Sequence, residues 1–194
     1  MRGKAHRFEV VAGRVQRVVV DDGMIETDAI VAAGAHSNTL SSQLGANVPL
    51  ETERGYHVML ASPSLVPRIP VMSGEGKYFA TPMEDGLRIA GTVELAGLEA
   101  PPNFVRADAL LAGATRLLPG LRHGKVDRWM GHRPSLPDSM PVIGRSSRIA
   151  NAFFAFGHGH VGLTAAAPTG EIVASLVAGR SPNIDIAPFS ADRF

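Results

Sequence analysis

Two stretches hold residues whose types and spacing could do chemistry. In Trp129-Met-Gly-His-Arg-Pro-Ser-Leu-Pro-Asp-Ser-Met-Pro-Val-Ile-Gly144, Pro134 restricts Arg133 to an extended backbone, and Pro137 and Pro141 stiffen the segment beyond it. A guanidinium on so rigid a frame can grip a carboxylate with two parallel hydrogen bonds. That carboxylate could belong to a ligand or to a neighbour such as Asp138. The second stretch, Gly157-His-Gly-His-Val-Gly162, has the G-x-G-x-x-G form and lies between an apolar run and a helical pattern. Three readings are open: a dinucleotide fingerprint, an ordinary turn, or a strand–turn–helix that aims backbone amides at a flavin ring. The short remainder of the chain leaves no returning strand for a dinucleotide fold.

His158, His160 and His132 raise a metal site as a weaker idea, with no cysteine and only Asp138 nearby. The absence of cysteine excludes disulfides, thiolate chemistry and a thioether-linked flavin. Tyr56 and His57 lie on an alternating run, where a pocket, core or surface role is open. Trp129 reads as a core anchor.

The elements that position these groups can be traced in order. Val15–Val20 and Met24–Thr27 form a hairpin at Asp22-Gly23. Ala29–Ala33 is continuously apolar and reads as a parallel strand buried on both faces. Ser37 or Asn38 caps a short helix that ends at Gly45. Val48–Leu60 reads as a long strand, and Lys77–Pro82 with Leu87–Val93 as a second hairpin. A helix is expected from Asn103 to Leu118, a strand over Val126–Met130, and a turn region over Arg133–Pro141. A strand over Ile149–Phe156 and a helix from Gly162 to Ala178 complete an α+β pattern with a mixed sheet.

The 194 residues are 45% hydrophobic and 19% charged, so the chain can bury a core. The 21 glycines and 14 prolines imply many turns. A net charge of +1, without clusters, gives no pull toward nucleic acid or an anionic membrane. No signal-peptide or membrane-spanning run is present, and a soluble, cytoplasmic protein is expected.

Taken in order, Ala32-Ala-Gly-Ala-His-Ser37, Leu117-Leu-Pro-Gly-Leu121, Gly131-His-Arg-Pro134 with Pro137-Asp138, Pro141-Val-Ile-Gly144 and Gly157-His-Gly-His-Val-Gly162 ahead of Ala167-Pro168 are informative together. In that order the chain resembles the C-terminal half of the D-amino-acid dehydrogenase and glycine oxidase group of FAD-dependent oxidoreductases. G-H-G-x-x-G-x-T, complete through Thr164, leans toward the dehydrogenases. The resemblance implies a non-covalent FAD and hydride transfer to it from a D-amino acid, or a related secondary or cyclic amino acid, giving an imino acid. It implies that Arg133 binds the substrate carboxylate, with Tyr78, Tyr56, His57 and His160 as further substrate contacts. Cofactor contacts would come from Ala33, Gly34, Arg133, His158, Gly159, His160, Val161, Gly162, Leu163 and Thr164.

Family members begin with a nucleotide-binding βαβ unit, and none is read before Val15. The expected layout is therefore the end of an FAD-binding domain over 1–46, a substrate-binding α+β domain over 47–130, and a returning FAD-binding segment over 131–194. The implied partners are an amino-acid substrate and an N-terminal FAD-binding segment or partner subunit, with self-association through an unfinished sheet edge. The alternative is a non-catalytic fragment or subunit-interaction module.

Overall fold

The computed structural model describes residues 3–194. In chain order its strands are β1 (Ala5–Val11), β2 (Arg14–Val20), β3 (Gly23–Glu26), β4 (Ala29–Val31), β5 (Glu51–Leu60), β6 (Val71–Ser73), β7 (Tyr78–Met83), β8 (Gly86–Leu95), β9 (Val126–Ser135), β10 (Val142–Arg145) and β11 (Ala152–Phe156). The helices are α1 (Ser37–Ser41), α2 (Val105–Leu117) and α3 (Ala166–Val177). Two compact units result: the chain up to Thr52 together with Arg133–Phe194, and Glu53–His132.

In the first unit β1, β2 and β3 form an antiparallel meander. A second sheet has the order β10-β11-β4, in which β11 runs parallel to β4 and antiparallel to β10. Val15, Val31, Leu44, Phe154 and Phe156 pack on one side of this sheet. Ile143 and Phe153 pack on the other against Ile172, Val173 and Leu176 of α3. Asn151 fastens the meander to the sheet. Its side chain accepts from Val15 N at 2.8 Å and donates to Val15 O at 2.9 Å and Asp28 Oδ1 at 2.8 Å. One buried amide thus stands in for a strand neighbour and satisfies both main-chain groups of Val15.

In the second unit the sheet order is β6-β7-β8-β5-β9. Tyr56, Val58, Leu60, Tyr78, Leu87 and Ile89 pack against Ala107, Leu110 and Ala114 of α2. Alternation along each strand leaves the opposite face open. Gly113 admits the Tyr78 ring against α2, since a Cβ there would fall 2.7 Å from Tyr78 Cε1.

Several sequence expectations need correction. β4 is buried on one face only, with Ile30 52% exposed on the other. α1 takes no side-chain cap from Ser37 or Asn38; its N-cap is His36, and Ser37 is buried within it. β5 starts at Glu51 because Leu50 N bonds back to Val48 O at 2.8 Å, a tight turn that delays the strand. β9 continues through Arg133 and Pro134 to Ser135. As a sheet-edge strand it can accept a proline whose missing N–H no neighbour needs. α3 begins at Ala166 rather than Gly162, because Pro168 is confined to a first helical turn.

Asn151→Ala would strand two buried main-chain groups of Val15. Urea unfolding should show a loss of about 2–4 kcal/mol; a change under about 0.5 kcal/mol would show that the meander does not depend on this clip.

Candidate functional site

Arg133 sits half-buried near the end of β9. Beyond Ser135 the chain turns sharply, with Ser139 N bonded to Leu136 O at 2.9 Å. The Asp138 carboxylate, the neighbour considered for Arg133, is gripped by Arg193 through Nε at 2.7 Å and Nη2 at 3.3 Å. That pairing holds the Asp138 carboxyl below its ordinary range.

The glycine stretch meets this segment directly. β11 ends at Phe156, and Gly157 and Gly159 turn the chain with φ of +84° and +52°. Gly159 N donates to Pro134 O at 2.8 Å, which ties the turn to the residue after Arg133. A Cβ on Gly157 would lie 2.6 Å from Leu136 Cδ1, so positive φ and close approach both demand glycine. His158 turns inward and its Nε2 lies 3.0 Å from Thr169 Oγ1 on α3, fixing the turn to the helix. His160 and Val161 are exposed, Gly162 is half-buried, and Leu163 and Thr164 are exposed. The amides of Gly159 and Val161 are spent on Pro134 O and His158 O.

Ala33 and Gly34 follow β4, where Gly34 at φ +56° opens a short 3-10 turn with no atom near its absent Cβ. β4 is the last strand of its sheet, and a groove flanks each of its faces. One groove, about 690 Å³, is lined by Ile30, Ala32, His158, Gly162 and α3 residues such as Val173. The other, about 390 Å³, lies between β4 and the meander and includes Phe8, Val18 and Leu40. Periodicity gives no sign of either groove.

The remaining candidates belong to the second unit. Tyr56 is buried; its hydroxyl donates to the Glu94 carboxylate and accepts from Asn103 N at 3.0 Å. That bond, with Arg54 and Arg106 nearby, keeps the Glu94 carboxyl low. Tyr78 is 6% exposed and donates to Gly113 O at 2.7 Å. Both hydroxyls therefore hold this unit together. His57 is half-buried on the opposite face of the sheet and stacks on Trp129, with centroids 4.8 Å apart. Trp129 is 53% exposed and is not the core anchor expected. Among the described residues no three His, Asp or Glu side chains converge to hold a metal, and no helix is long and apolar enough to cross a membrane.

The family model described as "FAD dependent oxidoreductase" matches residues 2–176. A D-amino-acid oxidase of Bradyrhizobium diazoefficiens is 44% identical over 199 aligned residues, covering 100% of this chain and 47% of that protein. A D-amino acid dehydrogenase of Allorhizobium ampelinum is 34% identical, covering 97% of this chain and 45% of that protein. The chain thus spans about half the length of the curated relatives it matches. In fold it resembles glycine oxidase from Geobacillus kaustophilus, with a TM-score of 0.87 at 24% identity over 99% of this chain and 52% of that one. It also resembles L-proline dehydrogenase from P. horikoshii, with a TM-score of 0.82 at 20% identity over 99% of this chain and 54% of that one.

Burial holds the His158 imidazole below its ordinary value of 6.5. The unfolded chain takes up a proton there more readily than the folded one, so this contribution is full above the ordinary value and is lost as the pH falls toward the folded value. His57 is shifted the same way, by burial first and the nearby Arg88 second. His158→Gln keeps a polar partner for Thr169 and removes one titration. Its stability should therefore decline less than that of the parent between about pH 6.5 and pH 5. Parallel declines in unfolding midpoint would contradict the burial of this ring.

Proposed function

This chain belongs to the FAD dependent oxidoreductase family, and from that premise we propose that it supplies the substrate-side part of an enzyme oxidising D-amino acids, or related secondary or cyclic amino acids, to imino acids. The observation that carries the reading is the hydrogen bond from Gly159 N to Pro134 O. It brings the end of the arginine strand and the glycine turn into one piece of structure.

FAD, when bound, supplies a hydride acceptor; the protein's part is orientation and electrostatics. Arg133 takes the substrate carboxylate, with His57 and His160 as further contacts. Tyr56 and Tyr78 act through the fold of their unit, since their hydroxyls are bonded inside it. The glycine turn fits a flat ring: Gly157 and Gly159 hold it in positive φ, and Val161 and Leu163 offer apolar side chains that are 56% and 94% exposed. The amides of Gly162, Leu163 and Thr164 would face the ring, with His158, Gly159, His160 and Val161 shaping the turn. Ala33 and Gly34 would flank the phosphate side of the cofactor.

The unpaired edge of β4 between two grooves supports a docking place for an FAD-binding segment or partner subunit. An edge of this kind also favours self-association when it is left uncovered.

The test joins the chain to the N-terminal half of the Bradyrhizobium relative and follows D-amino-acid-dependent reduction of a dye. Arg133→Ala should lower kcat/KM by about a hundredfold or more, since two charge-assisted hydrogen bonds to the substrate are lost. Arg133→Lys should fall between, keeping the charge without the planar fork. Undiminished turnover by the alanine variant would end the assignment.

A further inference from the structure

The segment after α3 lies beyond residue 176, where the family match ends, and it returns to the first unit. Ile186 and Phe189 pack with Ile143 and Phe153, and Ala191 packs against the core cluster that holds Leu136. Ala191–Arg193 then form a 3-10 turn capped by Ser190, whose Oγ accepts from Asp192 N at 3.1 Å. Asp192 also accepts from Ser147 Oγ at 2.9 Å. The turn therefore presents Arg193 in one fixed place.

Every guanidinium nitrogen of Arg193 has an acceptor there. Nη1 donates to Ser190 O at 2.9 Å, Nε takes one oxygen of Asp138, and Nη2 takes the other. Nη2 also donates to Met140 O at 2.7 Å. The side chain is only 13% exposed, so these bonds are shielded from water.

Asp138 and Met140 flank Ser139, which holds a φ of +59°. A residue other than glycine enters that left-handed region at a cost and stays there only where its surroundings fix it. Met140 N bonds to Asp138 Oδ1 at 3.1 Å, and Arg193 holds the same carboxylate in place. The other end of this turn is the arginine strand. Leu136, which accepts from Ser139 N, lies against Gly157, and Pro134 O accepts from Gly159 N. A loosened turn would release Leu136 and Pro134, and Arg133 is the next residue in line.

We propose that Arg193 is a positioning residue that holds the turn after β9 and thereby fixes the direction of Arg133 and the glycine turn beside it. The inference rests on the reading of Arg133 as the group that takes the substrate carboxylate. It adds control of that site from a segment 55 residues beyond Asp138.

In the isotopically labelled full chain, Arg193→Gln should speed hydrogen exchange at the Ser139 and Gly159 amides about tenfold or more. The amides of β1 to β3 should keep their rates. Asp138→Asn should act alike, and the double variant should be no worse than either single one. In the chain joined to the N-terminal half of the Bradyrhizobium relative, Arg193→Gln should raise KM for the D-amino acid about tenfold with kcat near the parent's. Arg193→Lys, which keeps the charge without the fork, should fall between and serves with Asp138→Asn if the glutamine variant does not fold. A contact that only stabilises the fold would lower kcat through the active fraction and leave KM alone. Unchanged exchange at Gly159, a uniform rise across the unit, or an unchanged KM would overturn the inference. If Arg133→Ala impairs turnover while Arg193→Gln leaves KM alone, the positioning role fails and the reading of Arg133 stands. Undiminished turnover by Arg133→Ala removes both.

Discussion

One backbone hydrogen bond sets the character of the first unit. Gly159 N reaches Pro134 O at 2.8 Å, and the contact requires glycine at two turn positions and a proline that holds its strand straight. Gly157 brings the turn against Leu136 with no room for a side chain. His158 then carries the constraint onward to Thr169 and so to α3. Arginine strand, glycine turn and helix are thus a single linked feature, and a disturbance at any of the three reaches the others.

The two units pack in different ways. The first unit relies on a polar clip, Asn151, to join a meander to a small sheet. The second relies on one helix over one sheet face, with the Tyr56–Glu94 and Tyr78–Gly113 contacts stitching its edges. Placing long-range polar contacts inside each unit leaves two surfaces open: the β4 edge with its grooves, and the sheet face with its His57–Trp129 stack. On the proposed reading the first is for assembly, and the second carries His57, a substrate contact.

Much of this is legible in the sequence because the signals are local. The β2–β3 and β7–β8 hairpins follow from turn residues between β-branched runs, and α2 from its apolar spacing. The arginine and glycine stretches stand out as motifs, and the family they suggest is the one the chain belongs to. The features that escape depend on distant partners. The buried tyrosine hydroxyls bond across 35 and 38 residues, and Asn151 across 136, separations no local pattern reveals. β1 escapes because His6, Arg7 and Glu9 interrupt its apolar residues, Glu9 being paired with Arg17 on the neighbouring strand, and β10 because prolines precede it. Trp129 misleads because Gly131, legible only as part of a motif, in fact provides the space for its ring. The start of α3 is readable from Pro168, whose place in a first helical turn is a local signal.

The most direct measurement is an amide-resolved nuclear magnetic resonance titration of the isotopically labelled chain, joined to its complementing nucleotide-binding half, with FAD. The account predicts shifts centred on the amides of Gly162, Leu163 and Thr164, and small changes in the meander from β1 to β3. Bound flavin that leaves those three amides unmoved would contradict it.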